Sequence, residues 1–195
     1  MKFIGFYNYT VILTYLSLIS SLVGMVFACN GNSFAAMACL GVSGICDMFD
    51  GAVARSKKNR TADEKSFGIQ LDSLCDVICF GVFPGVFLYF SGVSSVLGIA
   101  LLAFYVLCAL IRLAFFNVLE EKRQTKEDGC AKFYRGLPVT NVAIILPLCY
   151  VMGWFLSGNV MNIVYHILPV LLGLLFICDF RVPKLDVTKL FHRKK

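Results

Sequence analysis

Asp47-Met48-Phe49-Asp50-Gly51-Ala52-Val53-Ala54-Arg55 is followed, with twelve residues in between, by Gly68-Ile69-Gln70-Leu71-Asp72-Ser73-Leu74-Cys75-Asp76. Four aspartates thus fall within two long apolar stretches. One carboxylate near the middle of a bilayer helix costs about 2.5–3.5 kcal/mol, so four ionised ones together cost on the order of 10 kcal/mol. A divalent cation is the simplest species that would offset such a penalty.

The surrounding composition makes the bilayer the expected setting. Hydrophobic residues make up 58% of the chain, charged residues 15%, and the mean hydropathy is +0.78. These values lie outside the range of soluble domains. Apolar stretches of bilayer-spanning length predict six transmembrane helices, at 8–29, 34–55, 66–90, 94–119, 139–157 and 160–178. The expected fold is therefore an all-α integral membrane protein, with residues 1–195 forming a single membrane-embedded domain. The connections at 30–33, 91–93 and 158–159 are short, uncharged and rich in Asn, Gly and Ser, which is turn chemistry.

The 18 Lys and Arg residues lie at the N-terminus, in or beside 56–65, late in the fourth helix, in 120–135, or after Asp179. With six spans all of these places are on one side, which the positive-inside rule makes cytoplasmic. Both termini are then cytoplasmic, in a multi-pass protein of the cell membrane. The first helix is read as a span rather than a cleaved signal peptide, because it is long and lacks a small-residue cleavage site. The net charge of +6 does not indicate nucleic acid, since the basic residues are scattered beside apolar helices. The basic tail, 181–195, is expected to meet anionic lipid headgroups.

Of the nine cysteines, eight fall in or at the ends of predicted helices and Cys130 lies in a loop. None forms a Cys-x-x-Cys pair, so they read as small apolar fillers. Ser73 and Cys75 point away from the acidic face and have no His partner in view, which argues against a nucleophilic role. His166 and His192 fall far from the acids.

Asp47, Asp50 and Ala54, at steps of three and four, share one helix face, as do Gly68, Asp72 and Asp76. The charged connection between them predicts an antiparallel hairpin, with both acidic faces within about 15 Å of the cytoplasmic helix ends. Oxygen ligands alone favour Mg²⁺ or Mn²⁺, with Ca²⁺ also within their chemistry, over zinc, and the spacing accommodates one ion or two. Gly51 and Gly68 leave room for close approach to the backbone. The competing readings are an ion-pair network with Arg55, Arg112 or lysines, and a cation channel or transporter.

The pattern Asp-x-x-Asp-Gly-x-x-Ala-Arg, then Gly-x-x-x-Asp-x-x-x-Asp, resembles the signature of the CDP-alcohol phosphotransferases, membrane enzymes that move a phosphatidyl-type group from a CDP-linked lipid to an alcohol. Phe80-Gly81-Val82-Phe83-Pro84, Arg112-Leu113-Ala114-Phe115-Phe116-Asn117 and Tyr134-Arg135-Gly136-Leu137-Pro138-Val139-Thr140 look like the branch of that family that uses L-serine. The linker between Arg55 and Gly68 departs from the family pattern in being longer, which puts in doubt how that loop contacts the nucleotide.

The resemblance implies a six-helix homodimer and a metal held by Asp47, Asp50, Asp72 and Asp76, with Asp76 also serving as catalytic base. It further implies that Gly51, Ala54, Arg55 and Gly68 line the CMP moiety of CDP-diacylglycerol. Arg112, Arg135, Asn117 and Thr140 become candidates for the carboxylate of L-serine or the lipid phosphate, since an arginine fork suits either group. Other acceptors, such as glycerol phosphate or inositol phosphate, or an ether-lipid donor, would use the same scaffold.

Overall fold

A computed structural model describes residues 4–57, 59–124 and 133–183, with the backbone alone at 122–124, 133–135 and 181–183. Cys130, Lys58 and the tail from Lys184 to Lys195 lie outside the described residues.

After a 3₁₀ turn at Tyr9–Val11, helix α1 runs over Ile12–Cys29 and α2 over Ser33–Ser56. Helix α3, Ala62–Asp76, passes through a π-helical segment, Val77–Val82, into α4, Phe83–Phe90. Helix α5 covers Val96–Gln124, α6 Val142–Met152 after a 3₁₀ turn at Val139–Asn141, and α7 Gly158–Ile177. Strands β1, Phe133–Arg135, and β2, Arg181–Pro183, pair antiparallel, with Arg135 opposite Arg181. No strand was foreseen in the sequence. This short ladder joins the chain before α6 to the chain after α7, and is continued by Gly136 N–H to the Phe180 carbonyl (2.8 Å) and Leu137 N–H to the Leu175 carbonyl (3.1 Å). Gly136 has φ +71°, and a Cβ there would stand 2.9 Å from the Phe176 carbonyl oxygen. A side chain would meet both strain and backbone.

Among the described residues, five helical stretches are long and apolar enough to cross a membrane: Tyr9–Cys29, Ser33–Ser56, Ala62–Phe90, Val96–Glu121 and Gly158–Ile177. The apolar helix Val139–Met152 is shorter, about 21 Å at 1.5 Å per residue. The predicted fifth helix, 139–157, therefore stops early: Gly153 caps it, and exposed Trp154 and Phe155 continue in a turn. Hydropathy could not mark this boundary, because aromatic residues at a membrane surface are as apolar as those within it. Helix α5 instead outruns its predicted end at 119, since Glu120-Glu121-Lys122-Arg123-Gln124 are good helix formers once the chain leaves the apolar layer.

Ala62–Phe90 is the central helix, 61% buried over its apolar window against 22–33% in the other four. Phe80, Phe83 and Phe87 from this helix pack with Leu40 of α2, Tyr105 and Ala109 of α5, Leu146 of α6 and Phe176 of α7. The outward stripes, such as Ile12, Leu16, Ile19, Val23 and Val26 on α1, or Ile163, Ile167, Leu171 and Leu174 on α7, are apolar and exposed. Such an inversion of the soluble pattern suits lipid contact.

Polar groups instead face inward between α1 and α2. Ser21 and Ser43 hydroxyls lie 2.8 Å apart, Ser43 Oγ donates to the Ser17 carbonyl (3.0 Å), and Ser20 Oγ to the Cys39 carbonyl (2.9 Å). Small hydroxyl residues let the two backbones approach and satisfy one another where no water is present. This zipper fixes α2, and with it Asp47 and Asp50, against α1.

Candidate metal and nucleotide site

Helix α3 begins with a capping box. Thr61 Oγ1 accepts from the Glu64 N–H (3.1 Å), and the Glu64 carboxylate accepts from the Thr61 N–H (3.2 Å). Lys57 Nζ adds an ion pair to Glu64 at 2.9 Å, and Asn8 Nδ2 reaches the same carboxylate at 3.5 Å. The start of α3 is thereby fixed against the end of α2, and the two acidic faces meet.

Asp47, Asp50 and Asp72 each present a carboxylate oxygen, all within 4.8 Å of one another. Asp72 faces Asp50; one turn further from the connecting loop, Asp76, buried at 8% exposure, faces Asp47. Opposed oxygens around one hard divalent cation at 2.0–2.6 Å lie about 4–5 Å apart, so this donor set fits such an ion. It contains no sulfur or imidazole that would favour zinc. Buried carboxylates crowded in this way require a counter-charge.

Gly51, Ala54 and Gly68 border one pocket together with Asp50 and Asp72. Arg55 is exposed, stands beside Asp50, and carries Nη1 3.3 Å from the position of a Cβ on Gly51. Arg112 approaches Asp47 and places its guanidinium 5.4 Å from the Phe116 ring centroid. Asn117 is engaged between helices, accepting from Ser73 Oγ (2.7 Å) and donating to Gln70 Oε1 (3.4 Å), while Gln70 donates to Glu121 (3.4 Å). Ser73 is thus occupied in packing α3 on α5, and Cys75 is buried. Thr140 is half-buried in the 3₁₀ turn that touches α2, α5 and the π-helical segment. The Arg135 side chain lies outside the described residues. His166 Nδ1–H donates to the Asn162 carbonyl (2.8 Å), one turn back in its own helix.

Three contributors were missed from sequence. Thr10, Val11 and Thr14 of the first helical stretch line the pocket, and Thr14 also approaches Asp50. Their signal was present as a stripe of small and polar residues, Thr10, Thr14, Ser17, Ser21 and Gly24, at helical steps. Lys65, at the start of α3, joins Arg60 of the long α2–α3 connection, the loop whose nucleotide contact the longer linker puts in doubt. The third contributor is the π-helical turn directly after Asp76. Pro84 has no N–H to offer the Phe80 carbonyl four residues back, the Phe83 N–H bonds to Ile78 five residues back, and the Tyr105 hydroxyl takes up the Phe80 carbonyl. π-Helical turns often occur at functional sites.

The CDP-diacylglycerol–serine O-phosphatidyltransferase of Saccharomyces cerevisiae is 38% identical over 110 residues, covering 55% of this chain and 38% of that protein. The Helicobacter pylori protein of the same name is 35% identical over 150 residues, covering 74% of this chain and 59% of its own. That of Methanocaldococcus jannaschii is 33% identical over 172 residues, 88% of this chain and 71% of the relative. The match therefore spans 38–59% of the length of the yeast and Helicobacter relatives. No solved structure matches the chain significantly. The family model described as CDP-alcohol phosphatidyltransferase matches residues 7–175, which takes in the carboxylate cluster, the glycine-lined pocket and six of the seven helices in full. With Asp50, Gly51, Ala54, Gly68 and Asp72 of the signature around one pocket, Asp47 clustered with Asp50 and Asp72, and most of its length matched, the chain belongs to the CDP-alcohol phosphatidyltransferase family.

Proposed function

We propose that the protein is a phosphatidylserine synthase, transferring the phosphatidyl group of CDP-diacylglycerol to the hydroxyl of L-serine and releasing CMP. The observation that carries this reading is the convergence of Asp47, Asp50 and Asp72 beside Gly51, Ala54 and Gly68. The similarity to three CDP-diacylglycerol–serine O-phosphatidyltransferases supports serine as the acceptor.

Asp47, Asp50, Asp72 and Asp76 would hold a divalent cation, Mg²⁺ or Mn²⁺. Such an ion, when bound, neutralises pyrophosphate oxygens and stabilises the departing CMP. Gly51 leaves the backbone open to the nucleotide, with Gly68, Ala54 and Arg55 beside it. Asp76 accepts the proton of the serine hydroxyl as its oxygen bonds to the lipid-linked phosphorus, and the bond from that phosphorus to the CMP oxygen breaks. Serine held in line makes this a direct displacement without a covalent enzyme intermediate. Arg112, beside Asp47, with Arg135, Asn117 and Thr140, would orient the serine carboxylate or the lipid phosphate.

The reading includes six spans, with both termini and the active site at the cytoplasmic face. The β1–β2 ladder supports the count. It ties the start of α6 to the end of α7, so a crossing by α7 requires residues 136–157 to cross as well. Basic residues near that end support the sidedness. A homodimer in contact with anionic lipids completes the proposal.

The test is product analysis. Purified protein receives CDP-diacylglycerol with Mn²⁺ and, separately, L-serine, glycerol 3-phosphate or inositol phosphate. A serine-containing lipid formed only with L-serine agrees with the proposal, and a product formed only with another acceptor refutes serine as the substrate.

A further inference from the structure

We infer that Arg60 is a phosphate ligand for the nucleotide end of the donor, supplied by the long connection between α2 and α3. This rests on the proposed donor chemistry but concerns a residue outside the signature. Arg60 lines the same pocket as Asp50, Gly51, Gly68 and Asp72, with Lys65 as a second cation. Its Nη2 lies 2.6 Å from where a Cβ on Gly68 would stand, so the absence of a side chain at Gly68 makes the seat for this guanidinium.

The loop holds Arg60 in place. Nη2 donates to the Glu64 carbonyl (3.0 Å) and Nη1 to the Ala54 carbonyl (3.4 Å). Glu64 is in turn fixed by Lys57, Thr61 and Asn8. These contacts use only part of the five-donor fork, and Nε is buried with no hydrogen-bond partner among the described residues. A buried donor without a partner is uncommon enough to need a reason. The pocket is lined by both carboxylates, Asp50 and Asp72, and cations, Arg60 and Lys65. A phosphate offers several oxygens, so it can face the acidic cluster through a cation and still accept from a guanidinium in the same pocket.

The experiment measures binding of CMP and of cytidine to the full-length protein in detergent with Mn²⁺, by thermal shift, for wild type, Arg60→Gln and Arg60→Lys. Charge-assisted bonds to phosphate predict that wild type prefers CMP by about tenfold or more, and that Arg60→Gln removes most of that preference with little change for cytidine. Arg60→Lys, which keeps the charge but loses the fork, should give an intermediate preference, and it serves alone should Arg60→Gln not fold. An undiminished CMP preference in Arg60→Lys and in any folded Arg60→Gln, an equal loss of both ligands, or no CMP preference in wild type would overturn the inference. The ratio is read without acceptor or turnover, so failure of serine transfer would count against the proposed reaction and not against Arg60.

Discussion

The Tyr105 hydroxyl of α5 donates to the Phe80 carbonyl, the acceptor that Pro84 cannot serve. Both residues are buried, and the bond spans from α5 to the π-helical turn that follows Asp76. The direction in which Asp76 points is therefore tied to α5 as well as to its own helix.

Tyr105→Phe removes that side-chain donor from a buried carbonyl, so it should lower stability by about 1–3 kcal/mol. Thermal unfolding in detergent measures this. A midpoint equal to wild type would show that the carbonyl finds another donor.

Asp76→Asn keeps the shape of the side chain and removes its basicity. Turnover should fall by about 10²-fold or more, while donor binding stays within reach of wild type. Steady-state kinetics with a separate CMP-binding measurement distinguish the two effects, and near-normal turnover would remove Asp76 from the role of base.

Asp47→Asn takes one oxygen ligand from the cluster that also contains Asp50 and Asp72. The Mn²⁺ concentration giving half-maximal activity should rise by about tenfold or more, with weaker donor binding alongside. An unchanged metal titration would exclude Asp47 from the ligand set.

Gly24→Ala addresses the scaffold. A Cβ at Gly24 would stand 2.4 Å from the Phe83 ring and 2.8 Å from Cys39 Cβ. Phe83 is fully buried and cannot swing away, so overpacking should cost about 1–3 kcal/mol. Full retention of thermal stability would mean that α1 shifts without consequence for the serine zipper.

Much of the site was legible because the acids repeat at helical steps. Steps of three and four on two helices joined by a charged loop are enough to bring Asp50 to Asp72 and Asp47 to Asp76. Ala54 and Gly68 share those faces, whereas Gly51 was singled out because it directly follows Asp50. What was not legible depends on contacts distant in sequence. The π-helical turn needs Tyr105 as well as Pro84, and the seat of Arg60 needs Gly68 and the Glu64 carbonyl together. The end of α6 at Met152 was hidden by apolar aromatics on both sides of the boundary. The β1–β2 pairing rests on backbone bonds that side-chain pattern does not encode.

The most direct test of the central claim, that the aspartate cluster performs metal-dependent transfer to serine, is CMP release from CDP-diacylglycerol by the purified wild-type protein and Asp76→Asn. Each is assayed with L-serine and Mn²⁺, and again with chelator or without serine. Wild type should release CMP only when both serine and metal are present, and Asp76→Asn should release almost none. Release that persists in chelator, or proceeds equally in Asp76→Asn, would contradict the claim.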